Sequence, residues 1–80
     1  MAKKVTIYTT PTCPWCQMAK QYFKEHDVKY NEINVAADYA KAREMIEKSG
    51  QSGVPVIEID GKIIVGFDQP ALAKALGIKN

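Results

Sequence analysis

Residues 5–16 read V-T-I-Y-T-T-P-T-C-P-W-C. Val5-Thr6-Ile7-Tyr8 alternates and is rich in β-branched and aromatic side chains, the pattern of a strand. Thr9 to Thr12 is a polar turn containing Pro11. Pro14 suits the first turn of a helix, where its missing N–H has no partner to lose. Ala19, Tyr22, Phe23 and His26 follow at helical spacing and predict one buried face, which His26 closes as a partly exposed histidine near the helix end. A strand thus runs into a helix, with Cys13 and Cys16 at the junction.

Outward from this stretch the pattern repeats. Lys29 to Val35 reads as a second strand, with Ile33 and Val35 pointing one way. A second helix is expected from about Asp38 to Ser49, with Tyr39, Ala42, Met45 and Ile46 as its inner face and Gly50 as its stop. Gln51-Ser52-Gly53 is loop. Residues 55–59 and 62–65 read as strands joined by Asp60-Gly61, a strong two-residue hairpin signal. Gly66-Phe67-Asp68 is a turn, and Gln69 to Leu76 a last short helix with Asp68 as N-cap and Gly77 as its end. The order is β-α-β-α-β-β-α. A strand–helix–strand start implies a parallel pair with a right-handed crossover, and the hairpin adds an antiparallel pair. The expected architecture is α/β, a four-stranded mixed sheet with helices on both faces, in a single domain spanning residues 1–80.

Composition narrows the function classes. Eleven basic residues against nine acidic ones leave a net charge of +2, and acidic residues lie among most of the basic ones. A nucleic-acid binder gathers its basic residues into a stripe, so no nucleic-acid partner is expected. There is no run of ~18 apolar residues to span a membrane. Nor does an apolar stretch of about 7–15 residues follow the basic start, as a signal peptide requires. The cytoplasm is the expected location, and a monomer the expected state.

The chain has two cysteines, three positions apart, which cannot staple a distant loop. The thiolate rather than the thiol is the nucleophile. A free cysteine titrates near ~8.5, whereas a helix N-terminus or a C-x-x-C pair lowers this to about 3.5–7.5. Cys13 is expected at that terminus, where unpaired N–H groups and the helix dipole favour negative charge. Cys16 lies one turn in and partly beneath it. Cys13 is therefore the candidate attacking thiol and Cys16 the resolving one. Trp15 is either an aromatic surface for a peptide-like disulfide or a half-buried structural residue. Pro55, with Val54 before it, is allowed at a strand's first position on structural grounds alone. C-x-x-C is also half of a zinc site, but zinc takes four ligands and the chain holds one histidine and no third cysteine. A metal or iron–sulfur cluster would need two chains. A fold of this kind without turnover is the remaining alternative, with an ordinary thiol at Cys13.

Three segments together, T-I-Y-T-T-P-T-C-P-W-C, S-G-Q-S-G-V-P-V-I and I-V-G-F-D, resemble the glutaredoxins of the thioredoxin superfamily in order and separation. The resemblance implies the thioredoxin fold and thiol–disulfide exchange on protein disulfides or glutathione mixed disulfides. It implies no bound cofactor or metal, and glutathione as reductant. It further implies a cis Pro55 facing the Cys13 sulfur, and a Val54 main chain that pairs with the substrate's extended backbone. Gly66-Phe67-Asp68 would hold a glutathione carboxylate at the start of the last helix. Asp68 would then face the glutathione amino group, besides capping that helix. The chain departs from the family at Thr10, where many members carry a lysine, at Gly53, where threonine is usual, and at Gln69, where a second aspartate is usual. Gly66-Phe67 also resembles the small redoxins that thioredoxin reductase recharges and that supply ribonucleotide reductase. In those a basic residue stands at the position of Asp68.

Overall fold

The computed structural model describes residues 4–77. Its elements are β1 (Val5–Thr9), α1 (Pro14–Glu25), β2 (Asn31–Asn34), α2 (Tyr39–Ser49), β3 (Val56–Ile59), β4 (Lys62–Val65) and α3 (Gln69–Leu76). The four strands form one sheet in the order β2-β1-β3-β4. β1 runs parallel to β2 and antiparallel to β3, which pairs antiparallel with β4. Strand β2 is shorter than residues 29–35, although the Val35 N–H still reaches the Thr9 carbonyl at 2.9 Å. Pro55 lies just outside β3 rather than within it.

Alternation along β1 divides the core. Val5 and Ile7 point to one face, where they meet Ile57, Ile59 and Ile64 of the hairpin, Ala19, Tyr22 and Phe23 of α1, and Leu72 of α3. Tyr8 points to the other face and packs with Val56 and with Met45 of α2. The helices therefore lie on both faces, but unequally. Of the four residues expected on the inner face of α2, Met45 is buried and Ala42 partly so, whereas Tyr39 is 79% exposed and Ile46 42%. The buried cluster under α2 is small: Met45 is the helix's one fully buried side chain, and Ile33, Val35, Val54 and Ile63 pack around it partly buried. On the same side Glu58 accepts from the Lys48 ammonium of α2 at 2.8 Å, and the Tyr8 hydroxyl donates to Glu44 at 3.4 Å.

The hairpin turn has Asp60 at φ 49° and Gly61 at φ 87°, the paired positive φ of a type I′ turn that favours glycine at the second position. Asp60 also ties the hairpin to β1, since its carboxylate accepts the Lys4 N–H at 2.9 Å and its own N–H reaches the Lys4 carbonyl at 3.1 Å. His26 is the exposed C-cap of α1, and its ring rests 4.5 Å from that of Tyr22.

Phe23 is fully buried at the meeting of α1 with the sheet. Its replacement by alanine is expected to cost about 3–5 kcal/mol. That equals the ~3–5 kcal/mol that a core of this size supplies, so the variant should show no cooperative thermal transition by circular dichroism. A melting temperature within a few degrees of the parent would contradict this account of the core.

Candidate active site

The reactive pair is placed by the junction of β1 and α1. After β1 the chain turns through 10–12, and the Cys13 N–H reaches back to the Thr10 carbonyl at 3.3 Å. Cys13 is the N-cap of α1, with extended backbone at φ −92° and ψ 108°, and Pro14 begins the helix. An N-cap side chain normally offers oxygen to the orphan N–H groups of the first turn. Here the Cys13 Sγ does so, accepting the Cys16 N–H at 3.1 Å. The same thiol donates toward the Val54 carbonyl at 3.7 Å. Both cysteines are free thiols in the structure.

Their environments differ. Cys13 keeps a small exposed surface, while Cys16 has none. Burial, and then the hydrogen bond with the Cys13 side chain, push the Cys16 thiol up to about 12. A backbone hydrogen bond at Thr10 and the Lys20 ammonium oppose this without reversing it. Lys20 is itself held by Glu32 at 2.8 Å, and the Glu32 carboxylate also accepts the buried Thr9 hydroxyl at 2.9 Å. At neutral pH Cys16 is a fully buried, protonated thiol beside a Cys13 that keeps a small exposed surface.

One further segment meets the pair, through the Val54 carbonyl, and a second is joined to it. The Val54–Pro55 peptide bond is cis, and Pro55 is buried. Among the described residues the Val54 N–H has no hydrogen-bond partner. The Pro55 carbonyl accepts the Gly66 N–H at 2.8 Å, which fastens the Gly66-Phe67-Asp68 turn beside the cis proline. Phe67 packs edge-on to Tyr22 with ring centres 5.9 Å apart, and Asp68 caps α3 by accepting the Ala71 N–H at 3.3 Å. Trp15, 56% exposed, joins Phe67 and Asp68 around an open trough of about 540 Å³ that Met18, Val65, Gln69 and Pro70 complete.

Met18, Val65 and Pro70 were not singled out in the sequence. Met18 lies one helical turn beyond Trp15, a spacing that marks it as a neighbour on the same face. Val65 is the last residue of β4 and pairs with Val56, a position that is apparent only with the strand register. Gln51, in the loop before Val54, also bonds to its own loop in a way that no spacing signalled.

A glutaredoxin family model matches residues 5–64. The chain is 49% identical over 72 residues to an uncharacterised glutaredoxin-like 8.6 kDa protein of the rubredoxin operon of Clostridium pasteurianum, covering 90% of this chain and 96% of that one. It is 42% identical over 64 residues to glutaredoxin 3 of Escherichia coli K12, covering 80% of this chain and 77% of that one. The solved structure of the thioredoxin-like protein BC3987 superposes with a TM-score of 0.86 at 32% identity, over 91% of this chain and all of that one. A match that begins in β1 and ends in β4 takes in the cysteine pair and the cis proline alike, and on it the chain belongs to the glutaredoxin family of thioredoxin-fold thiol oxidoreductases.

Proposed function

We propose that the chain reduces protein disulfides and glutathione mixed disulfides, with Cys13 as nucleophile and Cys16 as resolving thiol. The observation that carries this reading is the unequal pair: a Cys13 sulfur that caps α1, over a Cys16 thiol that burial holds protonated. Cys13, as thiolate, attacks one sulfur of the substrate disulfide. The other sulfur leaves as a thiolate and takes up a proton. Cys16 then gives up its proton and attacks the Cys13 sulfur, which releases the second substrate thiol and closes Cys13–Cys16. Two electrons pass from the dithiol to the substrate, and an external reductant returns them.

Val54 offers its main chain to an extended substrate, next to Pro55. Gly66, Phe67 and Asp68 border the groove at the start of α3, and Trp15 covers the apolar part of the ligand. Glutathione is the reductant of this reading, with the protein acting as a cytoplasmic monomer built of one domain. The second reading keeps the chemistry and exchanges the reductant for thioredoxin reductase. It is favoured by Thr10, Gly53 and Gln69, which lack the charge or hydrogen bond expected at those positions of a glutathione site.

Replacing Cys13 by serine should abolish reduction of every disulfide, and full activity in that variant would overturn the mechanism. Replacing Cys16 should spare a glutathione-dependent route through Cys13 alone. The reductant is decided by one assay with two recharging systems, glutathione with its reductase and thioredoxin reductase. Glutathione-coupled turnover supports the first reading; turnover with thioredoxin reductase alone supports the second.

Burial of Cys16 also predicts an alkaline instability. The unfolded thiol loses its proton near 9.0 and the folded one near about 12. Between these values the folded state binds more protons, so stability falls as pH rises through the window. Chemical denaturation of the reduced protein from pH 8 to 11 should show this fall, and a Cys16→Ala protein should lose much of it. Parallel profiles for the two proteins would refute the assignment.

A further inference from the structure

The side chain of Gln51 is committed to its own loop. Its Oε1 accepts the Gly53 N–H at 2.6 Å, and its Nε2 donates to the Gly53 carbonyl at 3.0 Å. One amide therefore pairs with both backbone groups of one residue, as a neighbouring strand would. Ser49 supports it from the end of α2, with its Oγ 3.3 Å from the Gln51 Nε2 and 2.7 Å from the Met45 carbonyl. The clamped residue precedes Val54, whose carbonyl meets the Cys13 thiol. A Cβ at position 53 would lie 2.7 Å from the Gln51 Oε1. A side chain there and the clamp exclude each other, and the flexible Gln51 amide is the group that would give way.

The charge around the groove points in a related direction. Of the residues lining the trough, Asp68 alone is charged, and Trp15, Met18, Val65, Phe67 and Pro70 are apolar. Glutathione carries two carboxylates, and no lysine or arginine of this lining meets them. An apolar or basic polypeptide finds both surfaces matched.

Resting on the exchange mechanism above, we propose that Gln51 is a positioning residue that sets substrate class. By clamping Gly53 it presets the Val54 main chain for an extended polypeptide disulfide with apolar or basic flanking residues.

Single-turnover reduction by the pre-reduced protein tests this without any recharging system. The probes are oxidised glutathione and the disulfide of a short peptide with leucine and lysine beside its cysteine. The wild-type rate constant at low probe concentration should favour the peptide by about tenfold or more. Gln51→Ala and Gly53→Thr should each raise the peptide's half-saturation concentration several-fold with little change in maximal rate. Adding Gly53→Thr to the Gln51→Ala protein should then cost little more. Equal wild-type rates on the two probes would overturn the proposal, as would a Gly53→Thr penalty undiminished in the Gln51→Ala background. Failure to reduce either probe, or activity surviving Cys13→Ser, would instead remove the exchange mechanism on which the proposal rests.

Discussion

The first turn of α1 closes on the Cys13 sulfur, which takes the Cys16 N–H at 3.1 Å where an oxygen usually stands in an N-cap. This single contact joins the fold to the chemistry. It begins the helix that buries Ala19, Tyr22 and Phe23, and it holds the Cys13 sulfur against the backbone of Cys16. A serine at position 13 would still cap the helix, so the fold does not require sulfur there. The redox role does.

The sheet supplies the fixed frame for that contact. Its two faces are not equivalent, since α1 and α3 share a broad apolar layer and α2 rests on a narrow one. The broad side carries the cysteine helix, which is also pinned to the sheet by the chain of contacts from Lys20 to Glu32 to Thr9. An exposed ion pair of this kind contributes roughly 0–1 kcal/mol. Its effect is mainly orientational, because Thr9 ends β1 four residues before Cys13. Next to the Val54 carbonyl that meets the reactive sulfur, the bond between the Pro55 carbonyl and the Gly66 N–H sets the cis-proline segment and the last turn side by side. The trough beside them is lined by the first turns of α1, the end of β4 and the turn into α3.

Much of this was legible in the sequence. The element order followed from alternation in 5–8, helical spacing after Pro14 and the Asp60-Gly61 turn, since each depends on neighbours within a few residues. Asp68 as N-cap, and Gly50 and Gly77 as helix ends, were local in the same sense. The inner face of α2 was misjudged for a non-local reason. Apolar periodicity shows which residues share a stripe, but not how much sheet lies beneath it, and here Tyr39 and Ile46 extend past the covered area.

The sequence by itself determined the cysteine pair, its place between a strand and a helix, and so the class of chemistry, because spacing along one turn of helix is a covalent property of the chain. Tertiary structure alone decided the rest of the site. It brought Val54 within reach of Cys13 across 41 positions, fastened Gly66 to Pro55, and gathered Trp15, Met18, Val65 and Phe67 around one trough. It also buried Cys16 completely while leaving Cys13 a small exposed surface, and that burial is the main reason the Cys16 thiol is held well above its ordinary value. The Gln51 clamp on Gly53 belongs with these, since the direction of one amide is set by the loop's shape and not by its composition.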